Sequence, residues 1–430
     1  MSGPHETPDG AFGKARHAAR HLTIDLTPLR GSKDFRRLWI AEVVTITGSE
    51  ATALALLIYV TLLTGSAAAV GLMGLVEFLC LVAGTIVGGP LIDRYDRRSI
   101  LLTTQLAMSL SAAVLLATAL MGEPPLPLIY LAAGFVSFFG GIDAPTRSAV
   151  MPNLVRPDQI PAATALTTAM YSIAWIVGPL IAGLLVAIAG VGAVFAFDLA
   201  SFILSLILLL RLRRLPPQHT PGEGIRNIWA ELRQGLAYLR GRKVLQSTFS
   251  IDLIAMIFGL PEAVLTFLAI ERFGSEAIAG VMLTAMAGGA LIASLTSGWV
   301  SRVRHQGRAV IWAVVVWGAG ITAFGFVERH LWLALVFLAI AGAADTISAV
   351  FRGTILQATV PDALRGRLSS VHFLVVAGGP RLGNLEAGLV AAVTSPAIAV
   401  ISGGVITIAG ALLNGLLVPE FRRYHAGEET

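Results

Sequence analysis

GGPLIDRYDRRSILL, residues 88–102, crowds Asp93, Arg94, Asp96, Arg97 and Arg98 into six positions between two long apolar runs. Of the 430 residues only 13% are charged and 55% are hydrophobic, whereas about a quarter of an ordinary soluble domain is charged. The apolar residues come in blocks of about 20, the length that crosses a hydrocarbon core of about 30 Å at 1.5 Å per residue. Segments alternating with a period of two, as in a membrane β-barrel, are absent. The chain reads as an all-α membrane protein, and residues 88–102 as a charged hairpin between two of its spans.

Twelve transmembrane helices are expected, near 38–63, 68–92, 99–121, 127–146, 163–188, 193–211, 247–270, 276–300, 309–326, 331–351, 371–394 and 398–418. They are numbered spans 1 to 12. Of the 31 Lys and Arg, all except Arg272, Arg329 and Arg381 fall in the two tails and the loops after even-numbered spans. Basic loops stay on the cytoplasmic side. Both termini are therefore expected in the cytoplasm of a multi-pass cell-membrane protein. The same asymmetry accounts for the pI of 9.7 without a nucleic-acid partner. The polar residues 1–33 lack the apolar core of a signal peptide and read as a disordered cytoplasmic tail. Cys80, the one cysteine, reads as a small buried apolar residue.

In the connection from Arg211 to Leu245, Ile225, Ile228, Trp229, Leu232, Leu236, Leu239 and Leu245 recur at helical spacing among arginines. This predicts an amphipathic helix on the inner membrane face. It divides the chain into an N-terminal six-helix bundle over 34–212, a linker over 213–245, a C-terminal bundle over 246–421 and a tail over 422–430. The halves resemble each other. Gly178-Pro179 recurs 201 residues on as Gly379-Pro380, Pro157-Asp158 as Pro361-Asp362, Asp143 as Asp345, and Gly89 as Gly298. Two pseudo-symmetric bundles around a midplane site is a transporter architecture.

At this point the residues resemble the major facilitator superfamily. Gly89, Leu91, Asp93, Arg94, Arg97 and Arg98 match its Gly-x-Leu-x-Asp-Arg-x-Gly-Arg-Arg loop, with Asp96 at the second glycine. The stretches APTRSAVMPNLVRPDQIPAATAL and GGPRLGNLEAGLV look like the branch that contains the enterobactin exporter and proton-driven drug and macrolide exporters. The resemblance covers about residues 34–424. It implies a conformational latch built on Gly89, Asp93, Arg94, Arg97, Arg98 and Asp143, in which the loop acid docks on span 11 and holds an outward-open state. Arg97 is expected to pair with Asp143. Simple anchoring of the hairpin by its arginines is the other reading. In span 5, Ala174-x-x-x-Gly178-Pro179-x-x-Ala182-Gly183 resembles the antiporter signature Gly-x-x-x-Gly-Pro-x-x-Gly-Gly, with two alanines for glycines. Plain close packing of small residues is the alternative.

An ionisable side chain at mid-membrane costs about 2.5–3.5 kcal/mol on insertion scales, so each one is a functional candidate. Glu50, Glu77, Glu262, Arg381 and Glu386 are the proton-coupling candidates, with Glu50 and Glu77 foremost and Arg381 as the partner of an acid or of an anionic substrate group. Static buried ion pairs, or snorkelling of the charged ends toward water, are the competing reading. Glu42, Asp198 and Asp252 rank lower, and His372 reads as a span-end residue. Tyr59, Phe78, Tyr171, Trp175, Phe258, Phe267 and Phe373 are candidate cavity aromatics.

No Gly-x-x-x-x-Gly-Lys-Ser/Thr loop, Gly-x-Ser-x-Gly elbow or His-Glu-x-x-His helix occurs. No enzyme activity, cofactor or metal is expected, and a monomer is. The reading is a secondary active transporter: proton-coupled export of an amphipathic small molecule, such as a drug, macrolide or siderophore, by alternating access. The alternatives are a facilitator or importer, for instance of lysophospholipid, and a membrane receptor without transport.

Overall fold

The computed structural model describes residues 25–216 and 228–425, and every regular element among them is helical. Span 1 runs Lys33–Thr64, span 2 Ala67–Arg94, span 3 Arg97–Ala119, span 4 Leu126–Leu154, span 5 Ile160–Ala189 and span 6 Val191–Leu210. In the second half, span 7 is two helices, Lys243–Phe258 and Glu262–Phe273. Span 8 is Ala277–Leu295, span 9 Gln306–Gly325, span 10 Leu331–Thr359, span 11 Asp362–Val393 and span 12 Pro396–Leu417. Among the described residues, eleven of the twelve are long and apolar enough to cross a bilayer. Span 11 is equally long, but it carries His372, Arg381, Asn384 and Glu386. Large apolar side chains such as Leu110, Ile188, Ile292 and Leu416 lie exposed on the outer surface, as helices facing lipid require.

Several helices outrun their apolar blocks. Span 4 continues from the expected 146 to Leu154, span 10 from 351 to Thr359, and span 11 starts at Asp362 rather than 371. Hydropathy marks the thickness of the lipid, whereas a helix supported by neighbours continues beyond it. Of the expected tail, residues 1–24 lie outside the described residues, Thr27–Gly31 is a short helix, and Ser32 caps span 1 by accepting from the Phe35 N–H at 3.1 Å. In the linker, 217–227 lie outside the described residues and Ile228–Leu239 is helical. The helix ends against protein: Leu239 is buried with Leu245, Phe249, Val360, Leu368 and Val371.

The packing repeats between the halves. Within the first, span 1 packs on 5 and 6, span 2 on 4, and span 3 on 4 and 6; within the second, 7 packs on 11 and 12, 8 on 10, and 9 on 10 and 12. Glycines make the matching crossings possible. A Cβ at Gly84 would strike the Phe138 carbonyl and one at Gly141 the Leu81 carbonyl; in the second half Gly289 faces Ala339 and Gly342 faces Met286 in the same way. Between the halves span 2 packs on 11 and span 5 on 8, and exchanging the halves maps one contact onto the other.

Those two contacts lie toward the ends of the helices remote from the start of span 1, the far face; the opposite end is the terminal face. Gly71 meets Gly388, and Gly183 meets Gly280, so close that a Cβ on Gly388 would stand 2.9 Å from the Gly71 Cα. The Thr61 and Thr266 hydroxyls join spans 1 and 7 at 3.1 Å, and Thr284 donates to the Ile176 carbonyl at 3.4 Å. The halves are thus sealed on the far side.

Candidate functional site

Span 7 breaks at a proline. Proline has no N–H to donate and its ring clashes with the preceding turn; spans 5 and 11 carry Pro179 and Pro380 within continuous helices, but at Gly259-Leu260-Pro261 the helix is interrupted. Backbone groups freed inside a membrane protein need new partners. Trp317, fully buried in span 9, donates from its indole N–H to the Gly259 carbonyl at 2.9 Å. The Asn384 side-chain carbonyl, from span 11, accepts from the Ala263 N–H at 2.9 Å. The break leaves Glu262 in the first turn of the second segment, where a helix N-terminus favours a carboxylate.

Just below the far-side seal, Glu262 shares an electrostatic neighbourhood with Glu50, Glu77 and Arg381. The four lie roughly 15–20 Å from the far ends of their helices at 1.5 Å per residue. Arg381 Nε stands 3.7 Å from Glu77 Oε2, an ion pair between span 2 of one half and span 11 of the other. Phe78 lies beside it, its ring against Gly378. Glu50 accepts from the Trp175 indole N–H at 3.1 Å. Its backbone is fitted to span 5: a Cβ on Gly178 would stand 2.5 Å from the Glu50 Cβ. The span 5 motif thus has one glycine against the Glu50 segment and another, Gly183, in the seal with span 8. Three carboxyls share one guanidinium here. Away from bulk water unmatched charge is costly, so the arrangement suits a site that takes up protons or a cationic group. Glu386 stands apart and makes no hydrogen bond or ion pair among the described residues.

The hairpin of residues 88–102 is held by backbone. Asp96, the departure from the loop pattern, caps span 3: its Oδ1 accepts from the Ser99 N–H at 3.1 Å and its Oδ2 from the Leu215 N–H at 2.9 Å. Arg98 donates to the Leu209 and Leu210 carbonyls that end span 6. Arg97 does not pair with Asp143. It is buried and donates to the Ala149 carbonyl at 3.2 Å, while Asp143 is held by Arg147, one turn along its own helix, and by the Thr104 hydroxyl at 2.6 Å. An arginine one turn away on the same helix reaches the acid without crossing between spans. Gly89 lies in the last turns of span 2, ahead of Leu91 and Ile92, which pack in an apolar cluster with Ile100 and Ile142; Asp93 and Arg94 have no partner among the described residues.

Two further charge clusters lie nearer the terminal face, one in each half. In the first, the Tyr171 hydroxyl donates to Glu42 Oε1 at 3.4 Å, with the Asp143–Arg147 pair beside them. In the second, Arg352 Nη2 stands 2.9 Å from Asp252 and 3.8 Å from Asp345, and His372 Nδ1 3.9 Å from the other Asp252 oxygen. His372 therefore faces span 7 within the protein rather than ending a span. Asp198, 1% exposed, accepts from the Ser201 hydroxyl at 3.3 Å between spans 1 and 6. Of the candidate aromatics, Tyr59 is buried edge-on to Phe195; the Phe373 side chain lies outside the description.

Sequence reasoning missed Arg147, Arg352, Trp317 and Asn384. The two arginines follow directly on the expected ends of spans 4 and 10 and read as loop charges. For Trp317 and Asn384 the available signal was Pro261, which announces backbone groups in need of partners.

The family model of transmembrane secretion effectors matches residues 23–426. The enterobactin exporter EntS of Citrobacter koseri is 29% identical over 408 residues, covering 93% of this chain and 95% of that protein. EntS of Escherichia coli O1:K1 is 29% identical over 411 residues, with the same coverage. Among solved structures, a variant of the nucleoside transporter NupG superposes with a TM-score of 0.73 at 12% identity, covering 90% of this chain and all of that one. A bacterial homologue of the human lysosomal transporter Spinster, in an inward-facing and unoccupied conformation, gives 0.69 at 14% identity, covering 91% and 97%. These two likenesses concern the fold.

Proposed function

Because the chain belongs to the transmembrane secretion effector family of the major facilitator superfamily, a family of transporters rather than enzymes, we propose that it exports an amphipathic small molecule in exchange for protons by alternating access. The observation that carries this reading is the Glu77–Arg381 ion pair across the bundle interface, with Glu50 and Glu262 beside it. Protonating Glu77 removes the charge that holds Arg381 on the far side. The proton then favours the state in which spans 2 and 11 part, and a ligand can shift an equilibrium only through such a difference between states.

The Lys and Arg distribution supports a cytoplasmic terminal face, so a far-side seal corresponds to a state open to the cytoplasm. In that state Asp93 is undocked, in keeping with a latch that serves the opposite state; Gly89, Arg94, Arg97 and Arg98 shape the hairpin that would carry it. Similarity to enterobactin exporters supports the outward direction and a siderophore or drug-like cargo. The site itself holds no resident cofactor in this reading, and the working unit is a monomer with its seals inside one chain.

Reconstituted vesicles test the proposal. An imposed pH gradient should drive accumulation of a tritiated macrolide or a catecholate siderophore, and Glu77→Gln should lower that accumulation at least tenfold while detergent-phase binding persists. Equal flux with and without the gradient would instead mean facilitation, and binding without flux a receptor.

A further inference from the structure

The two charge clusters near the terminal face occupy matching places in the two bundles. Each has an acid on the first span of its half, Glu42 or Asp252. Each has an Asp and an Arg on the fourth, Asp143 with Arg147 or Asp345 with Arg352. Each has a ring bearing a polar atom on the fifth, Tyr171 or His372, which are 201 residues apart, as are the Gly-Pro pairs on the same spans. In both, two carboxyls face one guanidinium. The difference is the ring: a tyrosine hydroxyl can donate or accept a hydrogen bond but does not take up a proton to become a cation, whereas an imidazole can.

The second cluster has room for that cation. Asp252 is 1% exposed and Arg352 2%. Arg352 Nη2 engages the Asp252 Oδ1 side, and Oδ2 faces His372 Nδ1. At 3.9 Å the two are within ion-pair reach but beyond hydrogen-bond distance, and His372 Nδ1 is buried with no hydrogen bond. The rest of the imidazole is accessible, the side chain being 41% exposed. The charged groups acting on it are Asp252 from span 7 and Arg352 from span 10, with Asp345 behind Arg352; Phe249 packs edge-on to its ring. With His372 neutral the cluster carries one uncompensated negative charge, and with His372 protonated it is balanced.

We propose that Asp252, Asp345, Arg352 and His372 form a second proton-binding site, separate from the carboxyls at the bundle interface, in which His372 takes the proton and ties span 11 to span 7. The inference rests on the transport reading for its consequence and on geometry alone for the site. Span 11 also carries Arg381, nine residues on, so a proton on His372 steadies the helix that forms the far-side seal. The cluster of the first half, with Tyr171, has no such response.

Two measurements decide it. In nanodiscs, carbon-13 histidine spectra identify His372 by the resonance lost in His372→Gln and again in His372→Tyr, which copies the first half. That resonance should titrate within about pH 5–8, the range of an imidazole, with its midpoint lowered in Asp252→Asn. An imidazole that stays neutral down to pH 5, or ignores Asp252→Asn, overturns the site. In vesicles at a fixed gradient, varying the pH on the terminal-face side should give the parent an inflection that both His372 variants lose. An unchanged profile in both overturns its coupling to transport. If the parent shows no gradient-driven flux at all, the transport reading falls and the titration alone decides the site.

Discussion

Gly178 shows how much of this site depends on single atoms. Its place against the Glu50 backbone leaves no space for a methyl group, and overpacking a tight contact costs about 1–3 kcal/mol. Gly178→Ala should therefore move Glu50 away from Trp175 and cut gradient-driven transport severalfold, measured beside Ala182→Gly as a tolerated change in the same motif. Asp143 makes the opposite case, for structure. Removing one member of a buried pair costs about 3–5 kcal/mol, because the other charge is left uncompensated. Asp143→Asn should lower the unfolding temperature clearly, and the double change Asp143→Leu with Arg147→Met should recover most of it. The sequence signalled Glu50, Glu77 and Arg381 plainly, since charge inside an apolar block has no other easy explanation. It hid Arg147 and Arg352, because an arginine buried by neighbouring helices and an arginine in a loop look alike once the apolar block has ended. The Arg97–Asp143 expectation failed for a related reason: the nearer partner on the same helix was counted as a loop residue.

At the scale of elements, spans and their pairing were legible and their ends were not. Twelve apolar blocks, the alternation of basic loops and the repeated Gly-Pro dipeptides specified two similar bundles. The break in span 7 was only hinted at by Pro261, because what makes it stable comes from spans 9 and 11. Asn384→Leu should remove the acceptor of the Ala263 N–H and cost about 1–3 kcal/mol, the cost of a buried donor left unsatisfied, read as a lower unfolding temperature. Trp317→Phe should weaken the other side of the break while keeping its packing. At the terminal-face end of span 7, Lys243 Nζ and Glu420 Oε1, the latter just past span 12, meet at 2.7 Å, and that hydrogen bond holds the Glu420 carboxyl below its usual value. The link is intact at neutral pH and is lost as the pH falls through the acid range. Because the pair is exposed, Glu420→Gln should leave the unfolding temperature nearly unchanged at neutral pH.

For the molecule as a whole, the far-side seals at Gly71–Gly388 and Gly183–Gly280 are the places where the two bundles must part. A Gly280→Leu wedge should separate spans 5 and 8 and leave the protein biased toward the state open on the far side. The central claim is that the bundles rock about their interface and that protonation of its carboxyls sets the direction. Paired spin labels in a Cys80→Ala background measure this directly, one pair at Tyr95 and Arg304 on the terminal face and another at Glu123 and Arg329 on the far face. On acidification, and in Glu77→Gln at neutral pH, the far-face distance should lengthen while the terminal-face distance shortens. Distances that stay fixed, or that change in the same sense on both faces, would contradict the account.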